Sequence, residues 1–142
     1  VSAPALAKER GIAVSEVRRA SSGAFDSYIR LSVKTERQQR SVAGTVFSDG
    51  KPRVIQVKGI NMEAELAPRV LYVTNLDQPG FIGALGSVLG EHGINIASFN
   101  LGREKPGGDA ISLVSIDNGA SDAVLEEIMA LEQVMQVKQL QF

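Results

Sequence analysis

Asp77-Gln78-Pro79-Gly80 closes one apolar run and opens another, and it is the place where residue types and spacing could do chemistry. Pro-Gly punctuates a turn, and the periodic run from Phe81 predicts a helix starting there. The first N–H groups of a helix have no partner inside it and attract anions. Asp77, with Asn75 two residues earlier, offers oxygens beside those donors. A ligand with a carboxylate at one end and an ammonium at the other needs that combination. Its carboxylate would take the N–H donors around Gly80, Phe81, Ile82 and Gly83, and its ammonium would take Asp77. Asn95, which carries both a donor and an acceptor, could close the site from a second copy of the chain. The alternative is a plain Pro-Gly turn with a polar cap.

Other constellations are weaker. The glycine run reads G-F-I-G-A-L-G. It lacks the G-x-G-x-x-G spacing that lets backbone meet a pyrophosphate, which argues against a dinucleotide site. With one His and no Cys, neither a thiolate metal site, a His-rich one nor a Cys nucleophile can be built. His92, near a helix end, reads as a surface partner of the dipole. Asp122, Glu126 and Glu127 read as a solvated helix face. Gly83, Gly86 and Gly90 form a stripe, each costing roughly 0.5–1 kcal/mol against Ala. Either another helix or a ligand comes close there, or the helix packs tightly on its own sheet. Arg30 and Lys34 share a strand face, and with Arg53 they could hold a phosphate or carboxylate metabolite. The default for such residues is solvation of outer strand faces.

Charge divides the 142 residues. Residues 1–66 hold 11 Lys+Arg against 7 Asp+Glu, and residues 67–142 hold 4 against 9. That asymmetry predicts two modules, 1–66 and 67–142, with a seam at Glu63 to Arg69. A net charge of -1 and few aromatics speak against nucleic acid as a partner, and no apolar run is long enough to span a bilayer. The chain begins with Val1 and enters a helical pattern almost at once, which reads as an excised piece of a longer protein.

The elements that must position these residues follow from pattern. In the first module a short helix with Ser2 as cap, Pro4 in its first turn and Gly11 at its end precedes strand-like runs. These are Ile12 to Arg19, Tyr28 to Lys34, and a hairpin of Ser41 to Phe47 with Arg53 to Lys58. The second module predicts a strand at Val70 to Thr74 and a helix carrying Phe81, Ile82, Leu85, Val88 and Leu89. Strands at Ile94 to Arg103 and Ala110 to Asp117 follow, then a helix at Ser121 to Leu131 and a strand at Gln133 to Gln141. The class is α+β: a ferredoxin-like βαββαβ unit preceded by a partial, mostly β unit. The sheet face away from the helices is not clearly polar and asks for a cover, such as a partner subunit.

The stretch NLDQPGFIGALGSVLGEHGINIASFNLGR resembles the ACT domain, a module that binds small molecules. APALAKERGI, followed by strands and RVIQVKGINMEAEL, is similar to the intervening (ASB) domain of the long D-3-phosphoglycerate dehydrogenases. The resemblance covers essentially the whole chain. It implies ACT domains paired side by side, with L-serine or another small amino acid bound between them as feedback inhibitor. Carried over by motif, Asp77 matches the turn aspartate, Asn95 the asparagine of G-x-N, and Asn75 a further polar ligand residue. Pro79, Gly80, Phe81, Ile82 and Gly83 complete the effector set. In the ASB-like part the resemblance implies a bound anion, a phosphorylated three-carbon acid, with Arg53 at a basic position. It further implies a cytoplasmic homo-oligomer whose catalytic region uses NAD, while this stretch is non-catalytic and holds no cofactor or metal. The regulatory half of an L-serine dehydratase, or a ligand-free oligomerisation module, are the other readings.

Overall fold

A computed structural model describes residues 2–17 and 27–142. Helix α1 (Ala3–Glu9) has Ser2 at its N-cap without a side-chain cap bond. It ends in a Schellman motif, in which Gly11 (φ +68°) donates to Lys8 O and Ile12 N–H to Ala7 O. The strand expected over Ile12 to Arg19 does not form at residues 12–17; Arg18 and Arg19 lie outside the described residues. Alternating apolar residues do not make a strand unless a neighbour takes their backbone groups.

Four strands follow in simple up-and-down order: β1 (Ile29–Lys34), β2 (Gln39–Val46), β3 (Pro52–Val57) and β4 (Ile60–Glu65). The hairpin between β2 and β3 is as expected. Strand β4 falls where the sequence suggested a seam. Lys58 (φ +53°) and Gly59 (φ +85°) form the two-residue turn that folds it back, with Val57 paired to Ile60. Two positive φ values in succession match the right-handed twist of the flanking strands.

The second sheet contains β5 (Arg69–Leu76), β6 (Ile96–Arg103), β7 (Asp109–Ile116) and β8 (Val134–Gln141), in the order β6-β7-β5-β8. Helices α2 (Phe81–Glu91) and α3 (Asp122–Met129) cover one face. This is the ferredoxin-like order. The core lies between the helices and that face: Leu71, Val73 and Val114 against Phe81, Leu85, Leu89 and Ile128. Helix α2 buries Phe81, Leu85, Val88 and Leu89 at helical spacing, whereas Ile82, one step off that stripe, is exposed. Ser121 caps α3 by accepting from Val124 N–H at 3.4 Å.

Part of the opposite face is covered by this chain's own first sheet, and no partner subunit is needed there. Ala64 packs with Val70 and Leu113, joined by Val54, Val57 and Met62. Gly102 on β6 makes the approach possible: a Cβ there would lie 2.5 Å from Asn61 O and 2.9 Å from Ile60 Cγ2. Gly83, Gly86 and Gly90 are the reverse case, since a Cβ at each would meet nothing within 4 Å. Tight packing of α2 on its own sheet therefore does not account for that stripe. Among the described residues no helix is long and apolar enough to cross a membrane.

Candidate functional site

Strand β5 ends at Leu76 and hands the chain to the turn of Asp77 to Gly80 beside the start of α2. Leu76 N–H donates to Gln133 O and Asp77 N–H to Gly108 O, both at 2.9 Å, so the turn is pinned from the residue before β8 and from the β6–β7 loop. Gly80 is the N-cap of α2 with φ +91°, a conformation that glycine adopts at no steric cost. No side chain caps this helix, and among the described residues nothing accepts from the N–H of Ile82 or Gly83. Gln78, Pro79, Gly80, Ile82 and Gly83 are exposed around these donors.

The Asp77 carboxylate is the charged group of the site. Its Oδ2 accepts from Arg103 Nη1 at 2.8 Å and from Gly107 N–H at 3.3 Å. The Arg103 guanidinium, helped by the Gly107 N–H, holds the Asp77 carboxyl below its ordinary range, so it is ionised at neutral pH. Arg103 and Gly107 were not singled out in the sequence. The signal lay in topology: β5 and β6 both pair antiparallel with β7, so they run the same way and their C-terminal ends meet.

The other expected residues are placed differently. Asn75 is completely buried; its Nδ2 donates to Leu76 O at 2.9 Å and its Oδ1 accepts from Ser112 Oγ at 3.3 Å. Phe81 is also buried, edge to face with Phe99 at 6.5 Å between centroids. Asn95 is exposed, and its Nδ2 donates to Asp117 Oδ2 at 2.7 Å. It precedes β6 whereas Arg103 ends it, so the eight-residue strand puts roughly 25 Å between Asn95 and the Asp77 turn. One chain does not bring these two residues together.

In the first sheet Arg30, Lys34 and Arg53 share the polar face, by alternation and by the register of β1, β2 and β3. Arg30 lies over the Tyr28 ring and donates to Gln56 Oε1 at 3.0 Å, beside a cavity of about 390 Å³. Arg53 sits 4.5 Å over the Phe47 ring and is bound by Asp49, Glu63 and Glu65. Its bidentate bond to Asp49 pulls the Asp49 carboxyl far below the usual range. Three carboxylates around one guanidinium leave little positive charge there for an external anion. His92 Nε2 and Glu127 Oε2 lie 2.5 Å apart, tying α2 to α3, so Glu127 is more than a solvated residue.

Residues 1–58 match the D-3-phosphoglycerate dehydrogenase intervening domain, and residues 69–133 match the ACT domain. The chain joins an intervening domain of the D-3-phosphoglycerate dehydrogenase family to an ACT domain. D-3-phosphoglycerate dehydrogenase of Bacillus subtilis is 32% identical over 138 residues, 97% of this chain and 26% of the relative. That of Methanocaldococcus jannaschii is 30% identical over 137 residues, 96% of this chain and 26% of the relative. That of Synechocystis is 35% identical over 128 residues, 90% of this chain and 23% of the relative. The chain thus spans about a quarter of the length of these relatives.

Proposed function

We propose that this chain is the regulatory region of a D-3-phosphoglycerate dehydrogenase, and that its ACT domain senses L-serine or another small amino acid to inhibit the enzyme by feedback. The carrying observation is the ionised Asp77 carboxylate beside the uncapped, exposed start of α2. An amino acid would direct its carboxylate to the N–H groups of Ile82 and Gly83 and its ammonium to Asp77. Pro79 and Gly80 shape the turn, while buried Asn75 and Phe81 hold it from beneath. Asn95 joins from a second copy: if two β6 edges pair about a two-fold axis, they run antiparallel, and Asn95 of one copy falls beside Arg103 and Asp77 of the other. Hydride chemistry with NAD belongs to the catalytic region of the parent enzyme.

Calorimetric titration of the chain with L-serine tests this. Asp77→Ala and Asn95→Ala should each weaken binding at least about tenfold while circular dichroism stays native, since both residues lie at loop ends. Unchanged affinity in both variants would falsify the site.

A second reading concerns the first module, where Arg30 beside its cavity favours a phosphorylated three-carbon acid, with Lys34 on the same strand face. Arg53 contributes less to that reading, because its charge is matched by its own carboxylates.

A further inference from the structure

The two sheets do not meet along their whole length. At the end where β3 turns into β4, a cavity of about 370 Å³ remains between them. Its roof is the turn from Lys58 to Asn61, and its floor is Thr74, Ala110 and Ile111 of the second sheet. The floor residues are buried, and Gly102 clamps the sheets together alongside, so the space is built by the docking of the two modules.

The charges around it are of both signs and are not spent on each other. Asp109, Ile111 and Leu113 alternate onto the face that meets β4, as do Gly102 and Glu104 from the neighbouring strand. Glu104 N–H donates to Asp109 O at 3.1 Å, which makes the two carboxylates lateral neighbours at the mouth. Lys58 stands on the opposite wall, on its positive-φ turn. Among the described residues none of Lys58, Glu104 and Asp109 has an ion-pair partner. Two adjacent carboxylates repel each other unless a cation comes between them. A lone ammonium opposite them wants an anion. The aliphatic lining from Ile60, Ile111 and Met135 suits a short side chain. The volume lies within the range of small-ligand pockets.

We propose that this cleft is a second small-molecule site for a zwitterionic α-amino acid, separate from the Asp77 turn. The ammonium would lie between Glu104 and Asp109 and the carboxylate would face Lys58, with the Thr74 hydroxyl offering a hydrogen bond. Arg103, already bonded to Asp77, also borders the cleft, so occupancy here and at the turn would share one residue. The inference does not depend on serine sensing at the turn.

Backbone-amide NMR titrations of the chain with glycine, L-serine and L-glutamine, against lactate and ethanolamine, test it. At least one amino acid should shift the amides of Asn61, Thr74 and Ile111, in the unaltered chain and in Asp77→Ala alike. Lactate and ethanolamine, each with half of the required groups, should bind about tenfold more weakly or less. Lys58→Met, and separately the pair Glu104→Gln with Asp109→Asn, should lower the affinity by a similar factor while leaving distant amides in place. Cleft amides that none of the three amino acids moves, that lactate or ethanolamine moves equally, or that respond unchanged in both variants would overturn the proposal. Failure at the Asp77 turn shows separately, in the amides of Ile82 and Gly83.

Discussion

Asp77 and Arg53 are both acid–base partners on the surface, yet they serve opposite ends. Arg53 is wrapped by three carboxylates and laid on Phe47, an arrangement that joins β3 to the preceding turn and to β4. Asp77 has one guanidinium and one N–H, both on the same oxygen, which leaves Oδ1 for a ligand. Because its folded pKa is depressed, its contribution to stability is present above the unfolded value, near 3.8, and is lost as pH falls through the lower folded value. Carboxyl-carbon NMR should therefore place the Asp77 midpoint below 3.8, and Arg103→Ala should raise it toward that figure. A midpoint that does not move on removing Arg103 would show that the ion pair is absent in solution. The aspartate was legible in the sequence because a turn announces itself locally. Its arginine, 26 residues away, was not, because only the parallel run of β5 and β6 joins them.

At the scale of elements, glycine marks two different things. The Cβ that Gly102 lacks would strike the backbone oxygen of Asn61, which cannot swing aside as a flexible side chain can. Gly102→Ala should cost about 1–3 kcal/mol in urea unfolding, the usual range for overpacking. Gly83→Ala and Gly86→Ala add a methyl in open space and should instead stabilise α2 by about 0.5–1 kcal/mol each. Equal effects at all three positions would contradict the sheet-on-sheet contact. The helices and strands of the second sheet were legible because one covered face imposes strict periods, as at Phe81, Leu85 and Leu89. β4 was not: Ile60, Met62 and Ala64 are its inward side, but Glu63 and Glu65 beside them resembled the start of a linker. Ile12 to Val17 misled in the opposite direction, since Ile12, Val14 and Val17 alternate loosely yet stay exposed with no ladder beside them.

For the whole molecule, the docked sheets limit where a second copy can add. One face of the second sheet is closed by the helices and part of the other by β4, which leaves the β6 edge and the bare outer side of α2 open to a second copy. The β6 edge joins both halves of the proposed serine site in one act, because it carries Arg103 at one end and follows Asn95 at the other. Pairing there would also bring the first turn of each α2, with its uncovered Gly83, nearer to the partner. A ligand held by two copies binds the dimer and not the monomer, so mass action requires it to tighten the dimer. Light scattering of the 15.1 kDa chain across a dilution series should show a dimer whose dissociation moves to lower concentration when L-serine is added. Asp77→Ala should leave the dimer formed but remove that response. A monomer at every concentration, with or without serine, would separate Asn95 from Asp77 for good and leave the turn without its second half.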